Sequence, residues 1–147
     1  MSTNFENIQK ILVPTDGSDY SMRAAEYGVG IAKMLSAQIV VVYVIDRVVI
    51  DQISKVTERD SVEQEFKEDG QRYVSYVLGL AAKEGLKASS LLTKGNPYEQ
   101  IVRLAKELKI DLIVMGTYGR RAAERVLIGS VTERVIEYAP CPVLVIK

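Results

Sequence analysis

Four short apolar runs constrain this chain more than anything else in it: "KILVP" (Lys10 to Pro14), "QIVVVYVID" (Gln38 to Asp46), "DLIVMG" (Asp111 to Gly116) and "PVLVIK" (Pro142 to Lys147). A strand with one wet face alternates apolar and polar residues. These runs do not alternate, so both of their faces must be covered, which is the situation of strands in a parallel sheet enclosed by helices. A fifth, weaker run, "KASSLLTKG" (Lys87 to Gly95), reads as a strand nearer an edge.

Helical patterns fill the gaps. Ala24, Gly28, Ile31, Ala32 and Leu35 form one stripe behind a cap at Ser18, and the glycines at 28 and 30 suggest close packing on the sheet. Val62, Phe66, Tyr73, Val77, Leu80 and Ala81 form a longer stripe. "GNPYEQIVRLAKEL" opens a third helix with Asn96 as cap, Pro97 in the first turn and Glu99 in a box-like position, turning Ile101, Leu104, Ala105 and Leu108 inward. "SVTERVIEYAP" opens a fourth with Ser130 and Glu133 at capping-box spacing and stops at Pro140. Segment Arg47 to Asp60 has no stripe and mixed charges, and reads as a mobile surface loop. Strand and helix alternate, and right-handed crossovers close such an order into an α/β three-layer sandwich. Its core is a five-stranded, parallel, doubly wound sheet of order 3-2-1-4-5. The 147 residues suit one domain, 1–147.

Composition narrows the chemistry. Lys plus Arg and Asp plus Glu both number 19, so no long-range field draws the chain to nucleic acid or an acidic membrane, and any phosphate site must be local. Histidine is absent, which removes Ser-His and Cys-His catalysis, histidine-held zinc and imidazole bases. The single cysteine, Cys141, excludes an internal disulfide and reads as a small buried hydrophobe. The stretch "MSTNFENIQK" has no apolar signal core and the longest apolar run is too short to span a bilayer, so a cytoplasmic location is expected.

In doubly wound sheets ligands bind outside the carboxyl ends of the strands where the order reverses, here between strands 1 and 4. That makes "PTDGS" (Pro14 to Ser18) and "MGTYGRR" (Met115 to Arg121) neighbours. Gly116 ends strand 4, where a missing side chain admits a phosphate or ribose to the backbone. Gly129 and Ser130 precede the fourth helix, whose free N–H groups and positive dipole end favour an anion. Asp16 is either a turn residue before Gly17 or a ligand for a ribose hydroxyl or metal. Arg120 and Arg121 are either solvated loop charges or phosphate partners. "GVG" at Gly28 to Gly30 lies within a helix, so it is not a dinucleotide fingerprint.

Together "ILVPTDGS", "VVYVID", "GNPYEQI", "DLIVMGTYGR" and "IGSVTERVIEYAPCPVLVIK" resemble the universal stress protein family along essentially the whole chain, and Gly116-x2-Gly119-x9-Gly129-Ser130 matches the glycine motif of its ATP-binding branch. The resemblance implies a Rossmann-like nucleotide-binding α-hydrolase-type fold. It further implies that Pro14, Thr15 and Asp16 line the nucleoside side with Asp16 near ribose, that Val44 meets adenine through its main chain, and that Met115 and Gly116 border the ribose. Gly119, Arg120, Gly129, Ser130, Val131 and Thr132 would hold the phosphates of ATP (or ADP or AMP), with Mg²⁺ or Mn²⁺ bridging oxygens. The family likewise implies a homodimer through the last strand, Val143 to Lys147, which would cover a bare edge. One departure is Tyr118, where the family commonly carries histidine or another basic residue.

The reading that ranks first is an ATP-binding regulator or sensor of stress. A slow metal-dependent ATP hydrolase ranks below it, because no water-orienting group is evident; Glu124 and Glu133 are near only in sequence. A nucleotide-free structural or partner-binding dimer and an adenylating enzyme stand behind those. No residue names a downstream partner.

Overall fold

A computed structural model describes residues 7–53, 58–118 and 128–147. Ten elements follow one another: β1 (Lys10–Pro14), α1 (Asp19–Leu35), β2 (Gln38–Asp46), α2 (Arg47–Ile53), α3 (Arg59–Lys83), β3 (Ala88–Gly95), α4 (Pro97–Glu107), β4 (Leu112–Gly116), α5 (Ser130–Tyr138) and β5 (Val143–Ile146). The strands form a parallel five-stranded sheet of order β3-β2-β1-β4-β5, the order read from the sequence.

The missing alternation has the predicted cause. Ile11 and Val13 of β1 and Ile39, Val41 and Tyr43 of β2 join one core under α1 and α3. Leu12, Val40 and Val42 point the other way into a second core with Ile101, Leu104 and Ala105 of α4 and Val135 of α5. Successive apolar residues of these strands therefore meet an apolar layer on one face or the other. β3 and β5 form the two edges, and β3 carries the weaker pattern because its residues are only partly covered.

Helix α1 starts as expected: Ser18 is extended, and its side chain accepts the N–H of Ser21. Gly28 lets α1 lie on the sheet, since a Cβ there would come within 2.9 Å of Val13 and 3.6 Å of Val114. Gly30 has no such role; a Cβ there would meet nothing within 4 Å. Asn96 occupies the cap position of α4 but makes no side-chain cap bond. The capping box expected at α5 is absent too. The cap is Gly129, and Ser130 is already the first helical residue.

The largest correction concerns Arg47 to Asp60, read as a mobile loop, of which residues 54–57 lie outside the described residues. Arg47–Ile53 is the helix α2, and α3 begins at Arg59. Asp46 Oδ1 accepts the N–H groups of Val48 (3.0 Å) and Val49 (3.5 Å), so the last residue of β2 starts the helix as a cap. Ile50, 2% exposed, then pins it. Seven residues make two turns, too few to display a helical period, which is why no stripe was visible.

Cys141 is partly buried beside the start of β5. Loss of hydration, then the nearby Asp111 carboxylate, push its thiol up from 9.0 to about 11, against a smaller opposing hydrogen bond from the Ile113 backbone. Because the thiolate is the nucleophile, alkylation by iodoacetamide at pH 8 is expected to run roughly 100-fold slower in the folded protein than in the denatured chain. The folded rate should climb with pH until about 11. Equal folded and denatured rates would show the thiol to be open to water.

Candidate functional site

The sheet order puts β1 between β2 and β4, and the chain leaves β1 toward α1 on one face and leaves β4 toward α5 on the other. A cleft opens at this reversal. The cleft has a volume of about 90 Å³ and stands open to solvent, so a nucleotide-sized ligand would lie in an open groove and not in a closed chamber. Pro14, Thr15 and Asp16 from the end of β1, Val44 from β2, Met115 and Gly116 from β4, and Gly129, Ser130, Val131 and Thr132 at the start of α5 all line it. Ten of the twelve residues singled out by sequence thus surround one cleft. The other two, Gly119 and Arg120, lie outside the described residues, as do Arg121 and Glu124.

Two hydrogen bonds draw the end of β4 against the start of α5. Gly129 N–H donates to Thr117 O at 2.6 Å, and the buried Thr132 hydroxyl donates to Gly116 O at 2.7 Å. The Gly129 amide is therefore occupied. The N–H groups of Ser130, Val131 and Thr132 form the first turn of α5, have no intrahelical carbonyl to bond, and are offered no capping side chain by Gly129. They converge with the positive end of the helix dipole at the cleft.

Gly116 has a packing reason besides the one inferred. A Cβ there would sit 2.8 Å from Tyr20 C and 2.9 Å from Tyr20 O, both main-chain atoms of α1. The glycine lets helix and strand end touch, which brings the β1–α1 turn beside β4.

On the β1 side the turn is fixed by hydrogen bonds. Thr15 N–H donates to Val42 O at 2.9 Å, Ser18 N–H to Asp16 Oδ1 at 2.9 Å, and Gly17 N–H to Thr15 Oγ1 at 3.3 Å. Gly17 has φ +83°, and the ring of Tyr73 from α3 covers it where a side chain would stand.

β2 outruns β1. Their register ends with Pro14 opposite Val42, whereas β2 runs on beside β3 to Asp46. In a parallel ladder the main-chain groups of alternate residues face the same neighbour. Val42 faces β1 through its bond from Thr15, so Val44 turns its N–H and C=O the same way, toward a strand that has already ended.

The cleft also uses residues that sequence reasoning did not pick. Ser21, Asp46, Pro97, Ile101 and Tyr118 line it. Asp46 and Pro97 carried a usable signal, since each stands at a strand or helix end on the carboxyl side of the sheet. Ser21 and Ile101 carried none, because a small helical serine and a core isoleucine are commonplace. Tyr118, the departure from the family pattern, packs edge-on against Tyr20, with ring centroids 5.0 Å apart.

Among the described residues no group of three or more His, Cys, Asp or Glu could hold a metal ion, and no helix is long and apolar enough to cross a membrane.

The family model described as "Universal stress protein family" matches residues 7–147. Universal stress protein MJ0531 of Methanocaldococcus jannaschii is 41% identical over 145 residues, which cover 98% of this chain and 85% of that protein. The solved structure of MJ0577, from the same organism, superposes with a TM-score of 0.84 at 28% identity, covering 95% of this chain and 96% of that one. The universal stress protein of Archaeoglobus fulgidus solved in complex with dAMP shares the fold, with a TM-score of 0.68 at 23% identity over 95% of this chain and 98% of its own.

Proposed function

Since this chain belongs to the universal stress protein family, we propose that it is an ATP-binding member, acting as a nucleotide-dependent regulator or sensor in the stress response. The observation that carries the proposal is the junction of β4 and α5. Two short hydrogen bonds hold three uncapped helix-start amides beside a strand end, at the point where the sheet order reverses.

In this reading the N–H groups of Ser130, Val131 and Thr132 take the phosphates, with Gly129 leaving room for them. Gly119 and Arg120 belong to the same phosphate region by their place in the motif. Met115 and Gly116 border the sugar, and Pro14, Thr15 and Asp16 flank it from the other side. The outward N–H and C=O of Val44 form a donor and acceptor pair matching N1 and the amino group of adenine, with Pro97 and Ile101 as apolar neighbours. The A. fulgidus protein supports the idea that a fold of this kind can carry an adenine nucleotide.

A Mg²⁺ or Mn²⁺ ion would screen charge between phosphate oxygens. The described residues offer no carboxylate cage for it, so its ligands in this proposal are the phosphates themselves. Hydrolysis ranks below binding, because phosphoryl transfer to water requires a group that aligns the water and no residue in the described cleft is assigned that role. As a dimer, the protein would pair β5, an edge strand, with its counterpart across Val143 to Lys147.

The test is direct. Protein purified without added nucleotide is denatured and the supernatant analysed for ATP or ADP, and the emptied protein is then titrated with ATP. Release of adenine nucleotide, or saturable binding, is the expected result. An empty protein that takes up no ATP at millimolar concentration would refute the proposal, and time-dependent release of phosphate or pyrophosphate would move the chain into an enzymatic class.

A further inference from the structure

Ser21 lies in the first turn of α1, is 5% exposed, and lines the cleft. Helix capping does not need its hydroxyl, because the cap is made by Ser18 Oγ accepting the Ser21 N–H at 3.2 Å. Yet the hydroxyl is fully used. Ser21 Oγ donates to Ser18 O at 2.9 Å, and a carbonyl has no proton of its own, so the one Ser21 proton is committed there. The 3.2 Å contact between Ser21 Oγ and Thr15 Oγ1 must then have Thr15 as the donor. Thr15 Oγ1 in turn accepts from Gly17 N–H, and Ser21 Oγ also receives the Asp16 N–H at 3.4 Å.

These directions close a circuit around Asp16. Its amide rests on Ser21, its carboxylate on the N–H of Ser18, and Ser18 is itself tied to Ser21 through both its carbonyl and its side chain. A carboxylate held in this way need not be ordered when a ligand arrives, so a hydroxyl that bonds to it gains more of the interaction.

Resting on the nucleotide reading above, we propose that Ser21 is a positioning residue that presets Asp16 for the sugar, so that the cleft selects nucleotides bearing ribose hydroxyls. Ser18 and Ser21 then have separable roles: the first starts the helix, and the second aims the turn.

The experiment measures affinity for ATP and for 2′,3′-dideoxy-ATP by calorimetry in the wild type, Ser21→Ala, Ser21→Thr and Ser18→Ala. Wild type should prefer ATP. Ser21→Ala should lose about tenfold in ATP affinity, the scale of one hydrogen bond to a charged group, and less than about twofold for the dideoxy compound. Ser21→Thr should restore the preference. Ser18→Ala, which leaves the main-chain N–H and C=O of Ser18 in the circuit, should lower the melting temperature through the lost cap and cost the ATP preference less than Ser21→Ala does. Should Ser21→Ala fail to fold, Ser21→Cys, similar in size but a weak hydrogen-bonding partner, takes its place.

Equal losses for both nucleotides, or none, would overturn the role of Ser21. A wild type that binds both compounds equally would overturn the sugar selection alone. A wild type that binds neither would bring down the nucleotide reading and this inference with it.

Discussion

Gly116→Ala is expected to destabilise the protein by about 1–3 kcal/mol, the range for forcing an extra methyl into a packed contact. The added carbon would lie 2.8–2.9 Å from main-chain atoms of Tyr20, which cannot rotate away as a side chain could. Either α1 lifts from the end of β4 or the strand end bends, and both routes disturb the β1–α1 turn. Urea denaturation should show a lower midpoint with little change in slope. Gly30→Ala supplies the contrast within α1, because nothing lies within 4 Å of its added carbon. That change should stabilise by about 0.5–1 kcal/mol through helix propensity alone. The same substitution then has opposite signs at two glycines. A shift of less than about 0.5 kcal/mol at Gly116, the level of an ordinary surface change, would show that the contact with Tyr20 is not tight.

Gly129→Val should separate binding from folding. Gly129 has φ −66° and ψ 155°, an extended conformation that a β-branched residue adopts readily, and its amide bond to Thr117 O needs no particular side chain. A β-branched side chain set directly before the first turn of α5 is expected to crowd phosphate oxygens away from its amides. We expect ATP affinity to fall by roughly 100-fold, about 2.8 kcal/mol, with the fold retained. Gly129→Ser refines the test. A serine at this position can cap the helix by accepting an N–H from its first turn, so stability should rise by a few tenths of a kcal/mol while the amide offered to phosphate is consumed. Unchanged ATP affinity in a folded Gly129→Val protein would remove the helix start from the site.

The sheet was legible because its three interior strands, β2, β1 and β4, are covered on both sides. "KILVP" and "QIVVVYVID" name their strands to the residue, since nothing but a two-faced burial explains Val40, Val41 and Val42 in succession. The cleft was legible for a topological reason: once the order is known, the carboxyl ends of β1 and β4 must meet. What escaped was local and short. α2 was missed because a two-turn helix has no measurable period, and its cap, Asp46, is also the last residue of a strand. The box expected from Ser130 and Glu133 failed because both fit one residue inside the helix, where the glycine before them already has the extended backbone of a cap. Gly116 was placed at the cleft from the sequence, but its packing constraint was not visible there, since the neighbour that forbids a side chain is a helix from a distant part of the chain. Ser21 shows the same limit, as its meaning depends on where three hydroxyl and amide groups point.

The overhang of β2 beyond β1 has a consequence for how such a cleft can change over time. The donor and acceptor at position 44 belong to peptide units, so no replacement of the valine side chain deletes the acceptor, and only proline deletes the donor. Selectivity for a base held there would be set by strand length, and would be lost through a slip in register, a lengthening of β1 or a shortening of β2, and not through drift in the residue itself.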